Sequence, residues 1–85
     1  MNAIWKFPID TRIMRTELPK NSMVLTAQMQ NNNIVMWVIC NTEEKQKEPR
    51  IFRVFDTGEP LPEHRMAFIA TIQDEGTVHH IFEMV

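Results

Sequence analysis

Three histidines, one cysteine and one serine are the residues here whose types most readily do chemistry. Cys40 closes an apolar run, Ile34 to Cys40, with no base beside it, and a thiol in apolar surroundings is inert. Ser22 follows Pro19 in a turn and sits on no strand–turn–helix elbow. Asp74 and Glu75 fall at a hairpin tip, and Glu43, Glu44 and Glu48 in a charged loop. Solvated carboxylates of this kind have no environment to push their pKa values apart, as acid–base catalysis requires. His79 and His80 are adjacent, with His64 and Cys40 far off in sequence, so no metal-ligand spacing exists. Two glycines in total cannot build a phosphate loop. Enzyme chemistry, metals and cofactors are therefore not expected.

Binding is better served. Arg12, Arg15, Arg50, Arg53 and Arg65 are planar forks suited to phosphate. Trp5 and Trp37 are large rings, and Gln28 and Gln30 present donors and acceptors suited to a base edge. A nucleotide needs a ring to stack on, a few cations and amides for its edges. A net charge of −2 argues against a long nucleic acid as partner. Each residue also has a plain structural use: Trp37 as core, the arginines as ion pairs, His80 as a half-buried hydrogen-bonding group.

The elements that must position these residues are short and rich in β-branched and aromatic side chains, between turns marked by Pro, Asn and Gly. Seven strands are predicted: about Ala3 to Phe7, Arg12 to Leu18, Met23 to Gln30, Ile34 to Cys40, Ile51 to Phe55, Met66 to Gln73 and Thr77 to Met84. A short helical turn at Arg12 to Leu18 is the one competing reading. In the third strand Met23, Leu25, Ala27 and Met29 alternate with Thr26, Gln28 and Gln30, the period of a half-buried strand. The fourth is apolar on both faces, so it is central or covered by a second subunit. Asp74-Glu75-Gly76 fits a three-residue hairpin loop. In the seventh, Val78, His80, Phe82 and Met84 share one face, which leaves His79 expected on the exposed side. Thr42 to Pro49 reads as a solvated loop.

Residues 1–85 thus form a single β-domain, a small antiparallel sandwich or barrel-like sheet of six to seven strands. A chain this short has a marginal core, and one cysteine excludes an internal disulfide, so a homo-oligomer is expected. No apolar run approaches the roughly 20 residues of a membrane span, and the start lacks a signal peptide's pattern.

Several segments carry a resemblance. They are Ile4-Trp5-Lys6-Phe7, Val24 to Asn31, Trp37-Val38-Ile39, Phe52-Arg53-Val54, Thr57-Gly58-Glu59-Pro60, Phe68 to Gln73 and His80-Ile81-Phe82-Glu83. In this order and spacing they resemble a small phage and bacterial family labelled a domain of unknown function, and within it the phage anti-CBASS sponge proteins. Where that family's turn reads Gly-Thr-Gly-His-Pro, this chain has Asp56 and Glu59 in place of the outer glycine and the histidine. The resemblance implies an oligomeric phage protein of the host bacterial cytoplasm. It would bind a cyclic dinucleotide such as cyclic GMP-AMP and withhold it without degrading it. The residues expected at such a pocket are Trp5, Lys6, Gln28, Gln30, Arg53, Thr57, Gly58, Thr71 and His80. Trp5 would stack, Lys6 and Arg53 would face phosphate, the glutamines would read base edges, and the Thr57-Gly58 amides would approach the ligand. The alternative is a phage protein-interaction module that binds a host or virion protein through a sheet edge or the Trp37 face.

Overall fold

Asn31 and Asn32 take positive φ, 51° and 66°, and so do Glu75 and Gly76, 45° and 92°. Two consecutive left-handed residues make the tight turn whose twist matches that of antiparallel strands. In the computed structural model, which describes residues 1–85, these turns close two of the hairpins in an all-β fold. The strands are β1 (Asn2–Ile9), β2 (Ile13–Pro19), β3 (Met23–Gln30), β4 (Asn33–Asn41), β5 (Lys47–Asp56), β6 (Met66–Asp74) and β7 (Thr77–Met84). They form two antiparallel sheets, ordered β1-β4-β3 and β2-β5-β7-β6. The sheets come together where β3 runs beside β6.

The seven strands stand where the sequence places them, with five local corrections. β1 continues through Pro8 to Ile9, because an edge strand tolerates a residue that cannot donate. β2 is a strand and makes no helical turn; its side chains pair with β5 from Ile13↔Arg53 to Pro19↔Lys47. That pairing draws Lys47, Glu48 and Pro49 out of the expected loop and, with Arg50, into β5. The β6–β7 turn has two residues rather than three, since Asp74 pairs with Thr77 and Glu75 itself adopts the left-handed conformation.

A β-bulge between Val24 and Thr26 makes the fifth correction. An inserted residue shifts the pleat, so the alternation expected from Met23 does not run unbroken. Val24, Ala27 and Met29 pack against the core, whereas Met23 stands opposite Ile39 and is 60% exposed.

The core lies between the sheets. Ile9, Ala27, Met36, Val38 and Cys40 come from the first; Leu18, Phe52, Val54, Ala70, Ile72 and Ile81 come from the second. Polar pairs close the core at both ends of the β5–β7 ladder, which runs Phe52↔Glu83, Val54↔Ile81, Asp56↔His79. At one end Glu83 accepts from Arg50 Nε and, at 2.8 Å, from Arg50 Nη2, both side chains being nearly buried. Arg50 Nη1 donates to the Ser22 carbonyl at 2.8 Å. At the other end the His79 ring lies 2.6 Å from Asp56 and 3.4 Å from Asp74. His79 is thus inward and largely covered, not exposed as its position in the sequence implied.

Candidate ligand site on the outer face of the second sheet

Register places two rows of side chains next to one another on the outer face of β5, β7 and β6. Arg53, Phe82 and Phe68 form one row; Phe55, His80 and Thr71 form the next. Alternation demands this, because Phe52, Val54 and Ile81 take the inward positions. The face is aromatic. Phe82 meets Phe55 edge-on at 5.8 Å between centroids and Phe68 at 5.6 Å, the geometry that ring quadrupoles favour. Phe55 is 1% exposed yet lies outside the core cluster. What covers it is the Arg53 guanidinium, 4.5 Å above the ring centroid, together with its neighbours on this face.

The segment after β5 folds back over these rows. Thr57 N donates to the Val78 carbonyl at 3.2 Å, and Glu59 N to the Asp56 carbonyl at 3.0 Å. The turn needs Gly58 for its φ of 92°; a Cβ there would meet nothing within 4 Å. The glycine therefore serves backbone conformation, and the space beside it is open. Leu61 completes a cleft whose other walls are Phe55, Asp56, Thr57, Gly58, Glu59, His80 and Phe82, the two carboxylates being drawn to Arg12. His80 is fixed at both ring nitrogens: Nε2 lies 2.8 Å from Thr57 Oγ1 and Nδ1 lies 3.0 Å from Thr71 Oγ1.

Arg53 is the unsettled charge of the face. Arg12, Arg15 and Arg50 each reach a carboxylate, but Arg53 forms no ion pair. Its Nε is buried with no hydrogen-bond partner. A buried donor left unmatched costs about 1–3 kcal/mol, which the contact with the Phe55 ring offsets in part.

Behind the turn lies a second polar group. Asp56 sits 3.1 Å from Arg12, which also reaches Glu59 at 3.2 Å. The hydrogen bond from Arg12, then that from His79, holds the Asp56 carboxyl below the usual carboxylate range. The same bond raises the Arg12 guanidinium above its ordinary value. These side chains tie the base of the turn to β2 and β7. No group of three or more His, Cys, Asp or Glu side chains is placed to hold a metal ion.

Of the nine residues expected at a pocket, the fold brings together Arg53, Thr57, Gly58, Thr71 and His80. Lys6, Gln28 and Gln30 lie on the outer face of the other sheet, where Lys6 Nζ donates to Gln30 Oε1 at 2.7 Å. Trp5 is in the inner row of β1, opposite Val38, and is 41% exposed at that strand's free edge. Within one chain these four do not meet the Arg53 cleft. The sequence reading did not single out Phe55 or Leu61 as cleft walls, or Phe68 in the row beside them. The signal was available for two of them: Phe55 is two residues from Arg53, and Phe68 three from Thr71 across a bulge that hides the alternation.

A family model described as Domain of unknown function (DUF7352) matches residues 1–85. No curated protein and no solved structure matches the chain.

Proposed function

The chain belongs to the DUF7352 family, and we propose that it binds, without catalysis, an anionic ligand bearing flat rings. The class we assign is a cyclic dinucleotide such as cyclic GMP-AMP. The protein would act as a phage sponge in the bacterial host cytoplasm, withholding that signal from CBASS defence.

One observation carries the reading. Arg53 is a cation with a buried, unmatched donor, set beside an aromatic cleft. A phosphate there would pair with the guanidinium charge and accept charge-assisted hydrogen bonds from its terminal Nη groups. A base would find Phe82, Leu61 and the open backbone at Gly58 to lie against. His80 supports capture rather than turnover: both its ring nitrogens face threonine hydroxyls, and no carboxylate orients it as a general base. Sequestration needs nothing more than tight binding and protein in excess of the signal.

Titration calorimetry against a panel of cyclic dinucleotides tests the proposal. Heat is expected with at least one, with binding lost in Arg53→Ala and weakened in His80→Ala. Silence across the panel sinks it. Ligand recovered intact from the heat-denatured complex separates capture from degradation. The competing reading, a protein-interaction module, draws on the apolar outer face of the first sheet.

A further inference from the structure

The two sheets meet along β3 and β6, which run side by side without exchanging ladder hydrogen bonds. Each strand is paired on its other side only, β3 with β4 and β6 with β7. A strand edge left in this way keeps backbone donors and acceptors in need of partners. The seam between the two edges is an open groove of about 520 Å³. Ala27 and Ala70, both buried, set its floor, and Thr26, Gln28, Thr71 and Gln73 take the outward positions along its rim. No ionisable side chain lines it, so charge gives it no hold on a phosphate. Its carboxamides and hydroxyls instead present donors and acceptors side by side. Gln28 and Gln73, on opposite banks, are exposed.

The groove adjoins the Arg53 cleft. Thr71 on its rim bonds at 3.0 Å to Nδ1 of His80, which is a wall of that cleft. The cleft itself has a volume of about 280 Å³. That lies at the foot of the range of roughly 300–1,000 Å³ that encloses a drug-sized ligand. One base with its sugar and phosphate fills such a space, and a cyclic dinucleotide carries two.

We propose that the seam groove seats the second base of a cyclic dinucleotide whose first base occupies the Arg53 cleft. The inference rests on the proposed ligand class and adds to it a subsite of different character, neutral where the cleft is cationic. Spacing agrees with it. The cleft opens between β5 and β7 and the groove between β6 and β3, so their centres stand two strand spacings apart, about 10 Å. Two bases carried by one small phosphodiester ring can straddle that distance, with the ring over His80 and Thr71 and a phosphate toward Arg53. Gln28 and Gln73 would then meet the edge of the second base from opposite sides, as carboxamides meet base edges elsewhere. Phe68, the outward neighbour of Thr71 on β6, is 61% exposed and offers a ring beside the groove. A ligand made of phosphate alone would find nothing there to hold it, and a mononucleotide would leave the groove empty.

Calorimetry of the full chain with cyclic GMP-AMP, cyclic di-GMP and GMP tests the inference. A cyclic dinucleotide should bind at least tenfold more tightly than GMP, which reaches only the cleft. The double change Gln28→Ala with Gln73→Ala should weaken that dinucleotide about tenfold, toward the level of GMP, because two hydrogen-bonding side chains are removed. The circular dichroism spectrum should not change. In heteronuclear NMR the side-chain carboxamide signals of Gln28 and Gln73 should shift on addition of the dinucleotide and stay in place with GMP. A dinucleotide that binds the double variant as it binds the wild type, while Arg53→Ala still abolishes binding, overturns the second subsite and leaves the proposed function standing. Carboxamide signals that stay in place at saturation with the dinucleotide do the same. Silence from both dinucleotides overturns the ligand class itself, and the groove's assignment with it.

Discussion

The Arg53 guanidinium lies 4.5 Å above the Phe55 ring, and its Nε is sealed from solvent with no acceptor. The two facts oppose each other energetically. A partly exposed cation–π contact contributes roughly 0.5–1 kcal/mol, whereas a buried unmatched donor costs about 1–3 kcal/mol. Arg53→Met keeps a long apolar side chain over Phe55 and removes the donor. Stability, read as the urea midpoint at constant m-value, is expected to stay level or rise by about 1 kcal/mol. Ligand binding is expected to fall at least tenfold. A clear loss of stability would mean that Arg53 serves the fold. Gain of stability with loss of binding is the mark of a residue kept for function.

His80 joins two elements, through Thr57 on the turn and Thr71 on β6. His80→Ala removes both bonds, each contributing about 1 kcal/mol net. The expected result is a domain destabilised by about 1–2 kcal/mol. Faster amide exchange should be confined to residues 57 to 62 and the adjoining ends of β6 and β7. Exchange that quickens evenly across both sheets would show His80 to be part of the global core instead.

The Arg50–Glu83 pair makes the contrasting case. Both side chains are nearly buried, and the fork is satisfied by Glu83, by the Ser22 carbonyl and, at 3.6 Å, by Glu48. The hydrogen bond to Glu83 raises the Arg50 guanidinium further above its ordinary value. Breaking such a pair leaves a buried charge uncompensated and costs about 3–5 kcal/mol. Glu83→Gln is expected near the lower end, since Glu48 remains. The double change Arg50→Met with Glu83→Leu should recover more than half of that loss, because an apolar pair of similar volume removes the desolvation cost. Urea titration of the two singles and the double closes the cycle.

The strands were legible because their signals are local. Period-two alternation in β7 put His80 and Phe82 together and Ile81 and Glu83 on the other side, as the fold has them. The two apolar faces of β4 likewise announced a strand either central or covered by a second subunit, and it is central in its sheet. What was hidden depends on which strands become neighbours. The bulges at Val24/Thr26 and Phe68/Ala70 break the alternation that sequence reading follows. Arg50 and Arg53 are three residues apart and chemically identical. Only pairing with β7 assigns one to Glu83 and leaves the other over Phe55 without an acceptor. The same pairing turns His79 inward to Asp56, and of the nine expected pocket residues Lys6, Gln28 and Gln30 fall on the outer face of the other sheet and Trp5 in its inner row.

The Arg12–Asp56–His79 group sets a prediction for acid. Asp56 is held below its ordinary range in the fold, first by the hydrogen bond from Arg12 and then by that from His79. In the unfolded chain it titrates near about 3.9. A carboxyl with a depressed folded value binds its proton more weakly in the native state. Its contribution is therefore present in full above the unfolded value and is lost as pH falls toward and through the folded one. Wild-type stability should decline on acidification below about pH 5, while Asp56→Asn, already without that contribution, declines less. The two curves of urea midpoint against pH are expected to run apart at neutral pH and to converge in acid. Parallel curves down to the acid limit would show that Asp56 draws no stability from Arg12. Because Asp56 is exposed to solvent, the gap should also narrow as salt is added. A buried pair would resist that screening, so the Arg50–Glu83 cycle repeated in the same salt series should hold nearly constant.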